Sequence, residues 1–534
     1  MAESKIEGPL YPVIYVRGFA MTQKEIEDTV ATPYMGFNLG SSKVRQLWTG
    51  EVQRYYFESP LVRLMKDYQY QDVYSDGAEM PPDLEVGPKS IIIYRYYEQA
   101  STQLGSGQQS EIEDYAIGLA KLVLQVRDRV CCDNKENREK FRINLVAHSM
   151  GGLICRCFLQ NSQSTSEDVG LLEEARKLVD KVFTYATPHN GIDLELVGNV
   201  SGFLTVNQIN VFNRDRMKQY LALPPTATDI SSLNGKFDPD RFFCLVGTNE
   251  KDYEVAGGWS RRVVGPMSDG LVRVANATIS GPVVQNGKQI IKESPRAFVY
   301  RSHSGDYGIV NSEEGYQNLR RFLFGDVRVD GFLDIKELFL PPKVQDALDT
   351  GKQIRASYHF EVVVHVRGAQ WDLHRRTVGE NSAVFRKYDE MFKPKNYPAD
   401  GEPWRPHMPR LFSTFLETQA RINPRRRSLG FSIDLGVLVP TYEVDNKFWL
   451  DDHYDGGYLY RDGINLEAIP PKEGDDTGSW TLRYGFDSRT PNRVTTNAPS
   501  ATKDGKLVFR IPVEQKTRPG IIAELVLSAS AWNT

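Results

Sequence analysis

Apolar and polar positions in the first 325 residues follow two periods in turn. Short, nearly continuous apolar runs predict strands that are buried on both faces of a sheet. These runs occur at 13–16, 90–96, 143–146, 181–185, 241–247 and 297–300. Glu111 to Val130 carries apolar residues at three- and four-residue spacing, which predicts an amphipathic helix. Strands alternating with helices predict an α/β fold, with a mostly parallel sheet covered on both faces.

A different pattern governs residues 329–534. Tyr358 to Val366 alternates strictly, with an apolar side chain at every second position. Further strand candidates lie at 429–439, 457–468, 480–484, 506–513 and 521–528, and one helix-like segment lies near Glu380 to Phe392. Several strands with little helix predict an antiparallel β-sandwich. We therefore predict an α/β domain at 1–328 and an accessory β-sandwich-like domain at 329–534.

Two stretches of the first domain, residues 20–88 and 192–240, are longer than ordinary connections between strands. Both contain many large apolar side chains, among them Trp48, Phe203 and Leu204. They either form a cap over a ligand site or pack against the edge of the sheet, and the pattern leaves both open.

Composition narrows the classes of protein. A chain of 534 residues with 40% hydrophobic and 25% charged residues is an ordinary globular sequence, too long for one core. A net charge of −4 gives no sign of nucleic-acid binding. No apolar run is long enough to span a membrane, and the N-terminus lacks a signal-peptide core. Five cysteines, an odd number, suit a reducing compartment, so a cytoplasmic protein is expected.

The strongest chemical signal is the segment from Ile143 to Leu153. An apolar strand stops at Ala147, Ser149 follows at a sharp turn, and an apolar helix starts at once after Gly151 and Gly152. Such a turn lifts the serine hydroxyl clear of the sheet, while the N-terminal N–H groups of the helix face a developing oxyanion. The serine becomes a nucleophile only beside a base and an acid.

Candidates for both groups follow in the chain. His303 lies in a loop between the last predicted strand and the last predicted helix, whereas His148 adjoins the serine in sequence and His189 follows an earlier strand. The acid candidate is Asp269, in Ser-Asp-Gly-Leu-Val, with Asp193, Asp252 and Asp306 as rivals. The order serine, acid, histidine is the order of the α/β-hydrolase triad.

Four motifs together resemble the lipase and esterase branch of the α/β-hydrolases. They are Val16-Arg17-Gly18-Phe19, Ala147-His148-Ser149-Met150-Gly151, Thr187-Pro188-His189-Asn190-Gly191, and Ser268-Asp269-Gly270-Leu271-Val272 with His303. The resemblance implies that Ser149 is the nucleophile, that His303 is the general base and that Asp269 orients it. It also implies an oxyanion hole made by the backbone N–H groups of Phe19 and Met150. Ala147 replaces the usual first glycine, and Arg17 the usual histidine.

These features predict a serine hydrolase that cleaves carboxylic esters, lipid esters above all, through an acyl-enzyme. Two alternatives stay open: an acyltransferase on the same fold, and a toxin or defence phospholipase whose C-terminal β-domain is a binding or sensing module. Arg17, His148 and His189 are candidates for substrate binding. No cofactor or metal is predicted, because no phosphate-binding glycine loop or Cys/His metal spacing occurs.

Two charged clusters in the second domain have less specific meaning. Asp451, Asp452 and Asp455 suit either an ordinary acidic turn, the favoured interpretation, or a calcium loop. The run Arg425 to Arg427 suits a solvated strand edge better than a membrane contact. Expected partners are therefore the ester substrate and, at most, a peripheral membrane surface; no protein partner of the β-domain can be named.

Overall fold

The computed structural model describes residues 5–18, 23–31, 41–46, 49–73, 86–161, 166–192, 210–252, 267–285, 287–305, 307–369, 371–392, 407–420, 427–445, 452–471 and 479–533. The chain divides into two compact units. The first comprises Met1–Arg296 and Tyr300–Phe324, and the second comprises Ala297–Val299 and Gly325–Thr534.

The first unit alternates strands with helices over most of its length. Its strands are β1 (Val13–Val16), β2 (Ser41–Gln46), β3 (Val52–Phe57), β4 (Gln71–Val73), β5 (Ser90–Ile93), β6 (Ile143–His148), β7 (Val179–Tyr185), β8 (Phe242–Gly247), β9 (Ser280–Gln285) and β10 (Lys288–Glu293). The next strand, β11 (Arg296–Val299), begins in the first unit, and its other three residues are grouped with the second. The α-helices of the first unit are α1 (Gln23–Val30), α2 (Pro60–Tyr68), α3 (Ile112–Cys131), α4 (Lys135–Lys140), α5 (Met150–Gln160), α6 (Ser166–Arg176), α7 (Arg214–Tyr220) and α8 (Glu313–Phe324).

Seven of these strands form one sheet in the order β11-β8-β7-β6-β1-β5-β4. The pairs from β4 through β8 are parallel, with Tyr15 opposite Val146 and Val146 opposite Phe183. The central strands β1, β5 and β8 are buried at every position, which explains their continuous apolar runs. This sheet with its helices has the α/β-hydrolase fold that the sequence predicts, and the carboxyl ends of β1, β6, β7 and β8 meet at one edge.

The long stretch 20–88 contributes to the sheet itself. Its last described strand, β4, pairs in parallel with β5 and forms an edge of the seven-stranded sheet. The same stretch also contains α1, the β2–β3 hairpin and α2, whose N-cap is Ser59. Of the two interpretations left open for this stretch, β4 fits the second, since its residues lie at the edge of the sheet.

The second long stretch, 192–240, is only partly described. Phe203 and Leu204, on which a cap would depend, lie outside the described residues. In the described part, α7 buries Met217 and Tyr220 in the core of the unit. The described residues 210–240 therefore pack against the rest of the domain. A cap formed by residues 193–209 stays a prediction.

The second unit consists almost entirely of antiparallel strands. They are β12 (Val327–Phe339), β13 (Ile354–Val366), β14 (His374–Arg376), β15 (Val384–Lys387), β16 (Arg410–Leu416), β17 (Leu429–Val444), β18 (Asp452–Ile469), β19 (Thr481–Phe486), β20 (Thr496–Asn497), β21 (Ser500–Lys503), β22 (Lys506–Gln515) and β23 (Gly520–Ala531). One sheet has the order β16-β12-β23-β22-β21, and the other has β14-β13-β17-β18-β19-β20 with β15 added beside β13. Both sheets supply side chains to one apolar core, as in a β-sandwich.

Local structure in this unit departs from the sequence prediction at two places. The predicted helix near Glu380 to Phe392 is wrong over its middle, because Val384–Lys387 forms β15 and pairs antiparallel with β13. Only Tyr388–Phe392 is helical there, as α10, and the helix α9 (Pro342–Asp349) was not predicted. The alternation of β13 agrees with the prediction: Tyr358, Phe360, Val362, Val364 and Val366 are all buried.

Within the described residues, no helix is both long and apolar enough to cross a bilayer. All five cysteines are free thiols, and Cys132 alone among them is exposed.

Candidate active site

Ser149 occupies a strained turn between β6 and α5. Its backbone has φ 52° and ψ −125°, a conformation that costs a residue with a side chain roughly 1–3 kcal/mol. The Ser149 N–H donates to the Tyr185 carbonyl at 2.9 Å, and the Ser149 carbonyl accepts from the Thr187 hydroxyl at 2.9 Å. Tyr185 is the last residue of β7 and Thr187 lies two residues beyond it, so the pairing of β6 with β7 brings both hydrogen-bond partners to the turn.

Glycines around the turn allow the backbone segments to pass close together. A Cβ atom on Gly151 would lie 2.3 Å from the Val16 carbonyl oxygen. One on Gly152 would lie 2.2 Å from the Thr187 hydroxyl, and one on Gly18 would lie 2.8 Å from the Ser149 Cβ. A larger residue at any of these three positions would collide with β1, with Thr187 or with Ser149.

Three side chains from distant parts of the chain meet at this turn. The Ser149 hydroxyl lies 3.0 Å from His303 Nε2, and His303 Nδ1 lies 2.9 Å from Asp269 Oδ2. Because the carboxylate can only accept, Nδ1 carries the proton and Nε2 accepts from the serine. All three residues are buried, with exposed fractions of 5%, 3% and 1% for Ser149, His303 and Asp269. The arrangement is able to transfer a proton from the hydroxyl to the imidazole.

Asp269 is held by its own loop. Its second carboxylate oxygen, Oδ1, accepts from the backbone N–H groups of Leu271 at 3.0 Å and Val272 at 2.7 Å. At the end of β8, Gly247 leaves the space that the carboxylate needs, because a Cβ there would lie 2.8 Å from the Asp269 Cβ.

Of the rival acids, Asp252 accepts from the Asn249 amide at 2.7 Å, beyond the end of β8. The triad geometry therefore uses Asp269. Asp193 and Asp306 lie outside the described residues.

The expected oxyanion-hole donors are partly described. Met150 begins α5, and its N–H belongs to the first turn, where N–H groups have no acceptor within the helix. Phe19 lies outside the described residues, but the preceding Gly18 lies against Ser149, and its carbonyl accepts from the Tyr97 hydroxyl at 2.6 Å. The loop after β1 therefore passes directly beside the serine, as a donor at position 19 requires.

The side chain of His148 contacts the backbone of the loop that carries His303. Its Nε2 lies 3.0 Å from the His303 carbonyl oxygen, so Nε2 carries a proton and donates. The ring keeps some solvent exposure, yet burial among protein atoms, with His303 and Arg17 nearby, lowers the pKa of His148 well below its usual value. A neutral His148 that anchors the loop has its donor occupied, which leaves only Nδ1 for a substrate.

His189 lies in the core and has no exposed surface. Its Nε2 donates to the Thr184 hydroxyl at 3.1 Å, since that hydroxyl itself donates to the Phe243 carbonyl. Burial, then the neighbouring Arg156, lowers the pKa of His189 well below its usual range, so the ring is neutral. The structure places this residue in the packing beneath the site rather than on a surface that a substrate would touch.

Arg156, which the sequence did not single out, is buried on α5 without a carboxylate partner among the described residues. It donates to the carbonyl oxygens of His189 at 2.6 Å, Ile230 at 2.8 Å and Ser232 at 2.9 Å. Burial lowers its pKa to about 10. This guanidinium ties the helix after the serine to two loops of the same unit.

Arg17, at the end of β1, is partly exposed, and its carbonyl accepts from the Tyr96 hydroxyl at 2.9 Å. Its role in binding a substrate stays a prediction. No group of three metal-ligating side chains occurs among the described residues. Asp452 and Asp455 both belong to the strand β18 rather than to a loop, which disfavours a calcium loop. Asp451 lies outside the described residues.

Comparisons with known proteins give few relatives. No protein-family model and no curated protein matches the chain. Among solved structures, the mature lipase BlEst2 of Bacillus licheniformis aligns with 59% of this chain and 92% of its own, at 14% identity and a TM-score of 0.29. Lipase 1 from Pelosinus fermentans aligns with 55% of this chain and 92% of its own, at 13% identity and a TM-score of 0.26. Similarity at this level of identity and TM-score gives no information about the chemistry of this chain.

Proposed function

We propose that the protein is a serine hydrolase that cleaves carboxylic esters, with lipid esters as its substrates. One observation carries the proposal: the Ser149 hydroxyl lies 3.0 Å from a histidine that lies 2.9 Å from a buried carboxylate. A hydrogen bond between only two of these three groups would also fit a purely structural role. The three in series, at a strained turn where a helix begins, are the parts needed for acyl transfer.

The proposed reaction has two steps. In the first, the Ser149 oxygen attacks the ester carbonyl while His303 takes its proton, and the alcohol leaves with that proton. The N–H of Met150, with that of Phe19, stabilises the negative charge on the carbonyl oxygen. In the second, His303 activates a water molecule, which releases the acid from the acyl-serine. Asp269 keeps the imidazole in the tautomer that both steps need.

Labelling by a fluorophosphonate tests the nucleophile. The unmodified chain should be labelled and should hydrolyse p-nitrophenyl esters, and Ser149→Ala should lose the label and about 10⁴ to 10⁶ in turnover. An exposed serine, Ser106, supplies the matched control, since Ser106→Ala should keep both. Retained labelling of Ser149→Ala would exclude this serine as the nucleophile.

A chain-length series tests the preference for lipid esters. Turnover of p-nitrophenyl esters from acetate to palmitate, and of phospholipids, should be compared at concentrations below and above aggregate formation. A lipid hydrolase should prefer the long acyl chains and should gain activity once an interface forms. Preference for acetate, with no gain on aggregates, would leave the esterase chemistry intact and contradict the choice of lipid.

A further inference from the structure

A cavity of about 670 Å³ lies between the two sheets at one end of the β-sandwich. This volume falls within the range of small-molecule sites, roughly 300–1,000 Å³. All of its lining residues belong to the second unit, and the proposed hydrolysis makes no use of it.

The inner faces of both sheets form the walls of this cavity. Most lining residues of these strands recur at every second position: 327 and 329 on β12, 429 and 431 on β17, 507 and 509 on β22, and 527, 529 and 531 on β23, where Ser530 also contributes. A period of two means that one face of each strand points into the space. Several of these side chains are small, and Val327, Leu507 and Ala529 are only partly buried although they face inward. At this end the two faces leave a space between them.

The polar groups of the lining differ in how well they are satisfied. The Asp326 carboxylate accepts from the backbone N–H of Thr418 at 3.1 and 3.3 Å and also from its hydroxyl. Arg427 is exposed, donates to the Pro471 carbonyl, and has no carboxylate partner among the described residues. The cavity thus combines apolar walls with two charges: Asp326, whose carboxylate is bound by Thr418, and Arg427, for which the described residues supply no carboxylate.

We propose that this cavity binds a single fatty-acid anion, with its acyl chain between the sheets and its carboxylate against Arg427. The apolar walls suit a hydrocarbon chain, and a guanidinium binds a carboxylate through two parallel hydrogen bonds. Such an anion is also what hydrolysis of a lipid ester would release. Binding itself does not depend on that reaction, so the two proposals fail separately.

Titration of the full chain with monomeric fatty acids tests the site. Ser149→Ala serves as the background, so that no ester is turned over, and octanoate, decanoate, laurate and myristate are the ligands. Heat or the fluorescence of Trp480, which lines the cavity, reports binding. The dissociation constant should fall about fourfold for each added methylene group until the chain fills the cavity.

Two substitutions locate the ligand on that background. Arg427→Gln should weaken the binding of laurate about tenfold and leave that of lauryl alcohol unchanged, because only the carboxylate needs the guanidinium. Ala529→Phe fills the cavity and should abolish the binding of both. Their matched controls are Arg493→Gln and Ala501→Phe, at exposed positions outside the lining, which should bind laurate normally.

Several results would overturn the proposal: no saturable binding of any monomeric fatty acid, equal affinity after Ala529→Phe, or equal weakening by Arg427→Gln and Arg493→Gln. Attachment of the protein to intact phospholipid vesicles that survives Ala529→Phe, without binding of monomers, would point to a membrane surface instead and would also overturn it. Ester turnover by the unmodified chain is measured separately. Its absence would refute the hydrolase and leave this titration unaffected.

Discussion

His303 is joined to Asp269 twice, once through side chains and once through the backbone. Its Nδ1 lies 2.9 Å from Asp269 Oδ2, and its backbone N–H donates to the Asp269 carbonyl at 2.9 Å. The backbone hydrogen bond joins the loop after β8 to the loop after β11, and the side-chain contact sets the orientation of the imidazole. In the proposed reaction, this double attachment makes Asp269 a positioning group for the base, His303.

Asp269→Asn should lower turnover by on the order of 10⁴ while the fold persists. The remaining side-chain oxygen still accepts from Leu271 and Val272, but an amide nitrogen in place of Oδ2 donates to Nδ1 and selects the wrong tautomer. Ester turnover and circular dichroism measure the two effects. Asp252→Asn is the control and should keep full activity; the reverse result would identify Asp252 as the acid.

Thr187 should matter through the serine turn rather than through contact with substrate. Thr187→Val keeps the packing against Gly152 but removes the hydrogen bond to the Ser149 carbonyl. Turnover should fall by about tenfold to a hundredfold with little change in KM, since a small displacement of the nucleophile is costly. Thr187→Ser, which keeps the hydroxyl, should restore most of the turnover. A change in KM alone would mean that Thr187 contacts the substrate instead.

The sequence predicted the strand, turn and helix around Ser149 because each has a local pattern. An apolar run, a small residue, a serine and two glycines leave few other conformations. The serine, acid, histidine order of the α/β-hydrolase triad then favoured Asp269 and His303 as the partners of Ser149. The hydrogen bond from Thr187 to Ser149 could not be predicted, because it depends on the register of β6 against β7, where Ala147 lies opposite Thr184.

Errors arose where long-range pairing decides local structure. Val384–Lys387 sits in a segment with helix-like spacing, yet it pairs with β13, so that Phe360 lies opposite Val384. β4 has three residues, of which only Val73 is buried, and such a strand has no pattern of its own. Arg156 resembles any helix arginine in sequence, and its burial follows only from the loops that surround α5.

His148 should act on the position of His303, not on substrate affinity. His148→Phe removes the donor to the His303 carbonyl and should lower kcat by about tenfold to a hundredfold with KM unchanged. His148→Gln, which keeps an amide donor, should recover part of the loss. Burial lowers the pKa of His148, so the ring stays neutral even below its ordinary pKa, and the variants should keep the wild-type shape of the kcat–pH profile. A rise in KM without loss of kcat would instead indicate substrate binding.

Asp330 should make the β-sandwich sensitive to acid. It is buried between two arginines, with Arg328 Nε at 2.9 Å and Arg410 Nη2 at 2.5 Å. Burial alone would raise the pKa of Asp330, but Arg328 and Arg410, together with Lys506, lower it well below its usual value. A folded-state pKa below the unfolded value, about 3.9, means that the stabilisation is complete above that value and is lost progressively as the pH falls from it towards the folded-state pKa.

Asp330→Asn should therefore destabilise the sandwich by about 3–5 kcal/mol at pH 7, because it removes the buried carboxylate that contacts Arg328 and Arg410. Hydrogen exchange of the β12 and β16 amides, followed by mass spectrometry, reports this loss for the second unit by itself. The difference from the unmodified chain should shrink as the pH is lowered from about 4 towards 2, since the unfolded wild-type chain then binds a proton at Asp330 that the folded chain does not bind. Asp504→Asn, at an exposed turn, is the control and should leave exchange unchanged. A difference that is constant with pH would mean that Asp330 stabilises the unit through packing or hydrogen bonds, and not through its charge.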